Sequence, residues 1–168
     1  ALVVPNVALS YNGQGRTARL SGEATLVQPH NGEARLGGAK LNTSYAQALS
    51  STTGLRLDGS ITLDQDDPNG LDVRPAGVMT GPLEFRAAAN AGVTQQFGRF
   101  DLATGLGVSR TQTGEMRLAN GSVIDNSGSD RTSVSADIRL GYRITPIFGV
   151  FVSGDGSHEE FDHIATDI

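Results

Sequence analysis

Leu55-Arg56-Leu57-Asp58-Gly59-Ser60-Ile61-Thr62-Leu63-Asp64 alternates apolar and polar residues without a break. In an extended chain, Leu55, Leu57, Gly59, Ile61 and Leu63 fall on one side and Arg56, Asp58, Ser60, Thr62 and Asp64 on the other. A period of two is the signature of a strand with one apolar and one polar face. The length of the run narrows the class further. Strands of soluble domains average ~5–6 residues, whereas a strand that crosses a bilayer in a barrel needs roughly 9–11.

The same pattern recurs on both sides of this stretch. From Thr17 to Leu26, Ala18, Leu20, Gly22, Ala24 and Leu26 oppose Thr17, Arg19, Ser21, Glu23 and Thr25. From Leu83 to Thr94, Leu83, Phe85, Ala87, Ala89, Ala91 and Val93 oppose Glu84, Arg86, Ala88, Asn90, Gly92 and Thr94. From Ser133 to Arg143, Val134, Ala136, Ile138, Leu140 and Tyr142 oppose Ser133, Ser135, Asp137, Arg139, Gly141 and Arg143. Weaker versions predict strands over Val3–Tyr11, Ala39–Leu49, Phe100–Arg110 and Phe148–His158. The sum is an all-β chain with about eight long antiparallel strands in a meander.

Connections alternate in length. Short turns fall at Asn12–Gly15, Ser50–Gly54, Gln95–Gly98 and Thr145-Pro146, and long links at Gln28–Arg35, Gln65–Pro82 and Thr111–Thr132. Short periplasmic turns alternating with long extracellular loops characterise outer-membrane barrels. Tyr11, Phe97, Phe100, Tyr142 and Phe148 lie beside the short turns, with Tyr45 nearby, and predict an aromatic girdle at one membrane interface. At the long-loop end only Phe85 and Phe161 are candidates for a second girdle.

Composition agrees. Of 168 residues, 38% are hydrophobic and 18% charged, too few of the first to fill a soluble core, and 22 are glycine. A net charge of −5 without a Lys/Arg cluster excludes a nucleic-acid footprint. Without cysteine, disulfides and thiolate metal sites are excluded, and no apolar run approaches the ~20 residues of a membrane helix. No residue set points to a cofactor, a bound metal or an enzyme.

The polar faces carry Arg19, Glu23, Arg56, Asp58, Glu84, Arg86, Asp101, Asp137, Arg139, Arg143 and Asp155. In a pore these side chains line the lumen and set its field. Mixed signs at similar heights also suit plain cross-strand pairing. None of the four strong strands has a charge on its apolar side, where Arg near the midplane costs ~2–4 kcal/mol.

The acidic turn Asp64-Gln65-Asp66-Asp67-Pro68-Asn69-Gly70 has Pro68 where a calcium loop needs a ligand, and it reads as a solvated loop. His30, His158 and His163 are scattered, and the His158, Glu159, Glu160, Asp162, His163 group reads as a polar extracellular segment. Asp125, Asn126, Asp130 and Arg131 are expected to organise their loop through side-chain to backbone hydrogen bonds.

Gly98-Arg99-Phe100, the loop Val123-Ile124-Asp125-Asn126-Ser127 with Asp130-Arg131, Gly141-Tyr142-Arg143, Thr145-Pro146, Phe148-Gly149-Val150-Phe151-Val152 and Phe161-Asp162 form a further pattern. Over residues 98–162 it resembles a β-barrel porin family of Gram-negative bacteria, alphaproteobacteria in particular, often found near exopolysaccharide genes. Gly128 and Ser129 depart from the more acidic or aromatic residue that the family carries there. The resemblance implies an outer-membrane barrel with a pore-like or export-associated function and brings no catalytic residues.

With short turns periplasmic, strand one starts and strand eight ends on the extracellular side. Single-chain barrels keep both termini periplasmic. The expectation is therefore one domain over 1–168 that is incomplete at both ends, its barrel continued by further strands. The partners expected are outer-membrane lipid and lipopolysaccharide, and envelope proteins or additional barrel strands, with no nucleic acid. Two alternatives stand beside a porin-like channel or export component: a non-conducting barrel that anchors partners, and a soluble secreted β-sandwich or adhesin that buries the apolar face under a second sheet.

Overall fold

The computed structural model describes residues 2–28, 35–65, 78–80, 82–118, 120–124 and 127–162. Eight long strands follow one another: β1 Asn6–Gly13, β2 Arg16–Val27, β3 Arg35–Ala48, β4 Thr53–Gln65, β5 Leu83–Phe97, β6 Phe100–Thr113, β7 Arg131–Thr145 and β8 Phe148–Phe161. Each pairs antiparallel with its sequence neighbours, giving an all-β meander with β1 and β8 at its edges. Leu2–Val3 continues the β1 edge by pairing with the end of β2, after a break at Val4-Pro5 where proline lacks the N–H a ladder needs.

Seven of the strands run for 12 to 15 residues, longer than the alternation alone predicts. The extra residues lie at the ends, where both neighbours of a residue are polar and the period of two fades. The ladder continues there because backbone pairing does not depend on side-chain polarity.

The turns are as short as the sequence predicts. Gln14 and Gly15 both have positive φ, 34° and 75°, as a two-residue type I′ hairpin requires. Gly98, at φ 62°, opens the Gly98-Arg99 turn between β5 and β6. At the opposite end, the long links between β4 and β5 and between β6 and β7 contribute a small second sheet. In it Met116–Leu118 pairs with Val123–Ile124 on one side and with Val78–Thr80 on the other.

The sheet is a single layer. Among the described residues no hydrophobic side chain is buried, and Leu106 is 65% and Val152 66% exposed. A sandwich buries one face of each sheet against another. Among the described residues no second layer buries the apolar face.

Register adds a feature that alternation cannot supply. One row of paired residues crosses all eight strands at Asn12, Thr17, Ala46, Arg56, Gly92, Gly105, Asp137 and Asp155. Thr17 is two residues beyond the first short turn, Arg56 four beyond the second, Gly105 six beyond the third and Asp155 eight beyond the fourth. The hairpins therefore step along the strands in one direction, by one residue per strand. With ~3.4 Å of rise per residue and ~4.8 Å between strands, that stagger tilts the strands by about 35° from the normal to the line of turns. Closed barrels have strand tilts of about 35–45°.

Candidate functional site

Because paired residues share a face, the rows assign every strand residue to one of two surfaces. Arg19, Glu23, Arg56, Asp58, Glu84, Arg86, Asp101, Asp137, Arg139, Arg143 and Asp155 all fall on the same face. Between them stand small neutral residues. One row reads Ala8, Ser21, Asn42, Ser60, Ala88, Ser109, Ser133 and Glu159, charged only at the β8 edge. A trough of about 690 Å³ lies on this face, floored by Gly92, Gly105 and Gly107 and bordered by Arg56, Asp58, Asn90 and Asp137.

Glycines give the trough its depth by letting polar side chains lie flat across the sheet. A Cβ on Gly107 would stand 2.5 Å from Asn90 Oδ1 and 2.6 Å from Ser135 Oγ. One on Gly141 would meet both Asp101 carboxylate oxygens at 2.5 Å, and one on Gly105 would collide with Asp137. Gly107 and Gly141 are buried for this reason, although they belong to a single-layer sheet.

Among the described residues of this face, the ion pairs run along strands rather than across them. Arg56 Nε donates to Asp58 Oδ2 at 2.6 Å and Arg86 Nε to Glu84 Oε1 at 2.7 Å, both two residues apart on one strand. Two residues along a strand return to the same face, and a long guanidinium spans that gap readily. Arg139 instead lies over the ring of Phe151, 4.2 Å from its centroid. Alternation does not mark Phe151 as a polar-face residue. It follows three apolar neighbours in Phe148-Gly149-Val150, which hides its place on the polar side of β8, opposite Gly141.

The other face is apolar and ends in aromatics. Phe97 pairs with Phe100, and Phe100 with Tyr142, their rings 4.8 Å apart between centroids. Tyr11, opposite Ala18, and Phe148, in phase with Val150 and Val152, lie on the same face at the short-turn end. Tyr45 joins them, and its hydroxyl donates to Gln47 Oε1 at 2.6 Å, toward the turn. Rings on the apolar side with hydroxyls directed outward suit a membrane interface.

The opposite rim of this face differs from expectation. Phe85 is on it, opposite Leu63, but Phe161 pairs with Arg131 and so belongs to the polar face. A shared position near the long links does not make a shared face, since Phe161 follows Glu160 by one residue and inverts. Polar groups stand at this rim instead. Arg110, paired between Ala87 and Thr132, donates to Thr132 Oγ1 at 3.1 Å and to Asp162 Oδ2 at 2.5 Å. Ten residues separate it from Phe100, about 28 Å along a tilted strand after projection at ~35°. That interval matches the ~25 Å apolar band of an outer-membrane barrel.

Arg110 reaches from β6 over β7 to the residue that follows β8. Asp130 helps: its carboxylate accepts the Thr113 N–H at 2.8 Å and its carbonyl accepts the Asp162 N–H at 3.1 Å. The expected local loop contact of Asp130 is thus a clasp across strands. Arg110→Ala is expected to speed amide exchange at Glu159–Asp162 while lowering overall stability by no more than ~1 kcal/mol, since the pair is half exposed. Unchanged exchange there would show that the clasp holds nothing.

Of the remaining candidates, His158 and Glu160 share the apolar side, two residues apart, and Glu159 lies on the polar side, away from both. Asp66, Asp67, Pro68, Asn69, Gly70, His30, His163, Asp125 and Asn126 lie outside the described residues.

Comparison with known proteins gives one result. The family model described as "Putative beta-barrel porin 2" matches residues 48–167. No curated protein and no solved structure matches the chain significantly. The match covers well over half of the sequence and every strand from β4 to β8, and the chain belongs to that family of β-barrel porins.

Proposed function

We propose that the eight strands form the wall of a water-filled pore through which small polar solutes cross the outer membrane. The observation that carries this reading is the polar face. It is continuous over eight strands, built of small hydroxyl, amide and glycine residues with scattered charges, and hollowed rather than packed. A barrel whose lumen is plugged by its own side chains needs bulk there, and a lipid-facing surface needs none of these polar groups. The apolar face with its basal aromatics then meets lipid, the short turns lie in the periplasm and the long links outside. Along β1 and β8 the wall is closed by antiparallel partners, because an unpaired edge is not tolerated in hydrocarbon.

Purified protein reconstituted in planar bilayers should give discrete conductance steps. Folded, inserted protein without conductance would overturn the pore and leave a wall that only anchors partners. One observation favours that second reading: the apolar face carries shallow grooves of about 370 and 510 Å³, lined by Gly22, Ala39, Gly59, Ala87 and Ala89, where another wall could approach closely. Silent protein that co-purifies with an envelope partner, and loses it on Ala89→Val, would support it.

A further inference from the structure

Measured from the short turns, the polar-face charges separate by height. Among the described residues, Arg19, Arg56, Arg139 and Arg143 stand within seven residues of a turn, with Asp58 and Asp101 against them. Eight or more residues away the balance reverses. Among the described residues, Glu23, Asp64, Glu84, Asp137, Asp155 and Glu159 outweigh Arg35, Lys40, Arg86 and Arg131. Internal pairing sharpens the division. Arg56 is taken by Asp58 within the lower zone and Arg86 by Glu84 within the upper, so each pair cancels where it stands. Arg19, Arg139 and Arg143 then oppose a single Asp101 below. Above, Arg35, Lys40 and Arg131 oppose five carboxylates.

We infer that the lumen is electrically bipolar, basic near the short turns and acidic near the long links, and that it therefore rectifies ion flow. The inference rests on the pore reading. An acidic zone concentrates cations and a basic zone anions. With the long-link side positive, cations are driven in through the acidic zone and anions through the basic zone. Both accumulate where the zones meet, and conductance rises. Reversing the voltage draws both out and depletes the junction. The same field orients a dipolar solute, its cationic end toward the long links.

The test is the current–voltage curve of the reconstituted protein in KCl. Orientation is set by a single Ser122→Cys blocked from one side with a bulky maleimide, since the chain has no cysteine of its own. At 0.1 M salt the current with the long-link side positive should exceed the reverse by about twofold, for zone potentials on the order of kT or more. At 1 M the Debye length falls from ~10 to ~3 Å and the ratio should approach one. Arg19→Gln with Arg143→Gln should lower the ratio at 0.1 M, and Arg19→Lys with Arg143→Lys should keep it. Steady conductance with a symmetric curve, or rectification of the opposite sign, overturns the bipolar lumen and leaves the pore standing. Absence of any conductance overturns the pore reading itself.

Discussion

Leu106→Arg should lower the stability of the folded protein in liposomes by ~2–4 kcal/mol, while Ser60→Arg leaves it as in the parent. Leu106 sits on the apolar face between Ala91 and Ala136, seven residues beyond the Gly98-Arg99 turn. That height lies between the aromatic rim at Phe100 and the polar rim at Arg110, away from either interface. An arginine there costs ~2–4 kcal/mol in lipid. Stability of a whole domain is only ~5–15 kcal/mol, so the loss is a large share. Ser60 faces the other way, with small neighbours Asn42 and Ala88 on the adjoining strands, and an arginine there reaches water. Urea titrations of the two variants in liposomes, read by tryptophan-free fluorescence of a single attached dye or by the gel mobility of folded and unfolded forms, give the comparison. Equal midpoints would mean that Leu106 does not meet lipid.

The second large effect is expected from Ala89→Pro. Ala89 is in β5, opposite Gly59 of β4 and Val108 of β6, so the strand is flanked on both sides and the Ala89 N–H points into one of the two ladders. Proline removes its donor and its ring obstructs the ladder, which is why sheets confine proline to edges and bulges. In lipid the orphaned partner has no water to turn to, and each unsatisfied group costs several kcal/mol. Ala89→Pro should therefore abolish folding. Ala89→Val, which only fills part of a groove beside Ile61 and Val108, should fold with the parent's stability. A folded proline variant would contradict the eight-strand register.

All eight strands are legible as alternation, because a strand exposed to different media on its two sides must alternate whatever else it does. The girdle is legible for the same reason, as its aromatics sit in phase with the apolar residues of their own strands. What alternation cannot give is the offset between strands. The stagger of the hairpins depends on which residue meets which across each pair, and two bulges adjust it, one between Thr25 and Leu26 and one between Arg143 and Thr145. Face assignments fail where the local pattern does not alternate. Phe151 lies between Val150 and Val152, and Phe161 beside a run of charges, so neither face is marked by its neighbours. Arg110 shows the opposite failure. It stands in phase with Val108 on the apolar face, but only the register and the height of the neighbouring strands reveal that this position lies at the rim rather than mid-band.

The two-faced wall is tested most directly by nitroxide labels placed one at a time along β4, from Leu55 to Asp64, in the reconstituted protein. The absence of native cysteine makes each label unique. Relaxation by oxygen, which concentrates in lipid, should peak at 57, 59 and 61, and relaxation by a water-soluble nickel chelate at 58, 60 and 62, the two profiles out of phase with a period of two. In-phase profiles, or a nickel response at every position, would show that both faces meet water and that these strands do not line a membrane barrel.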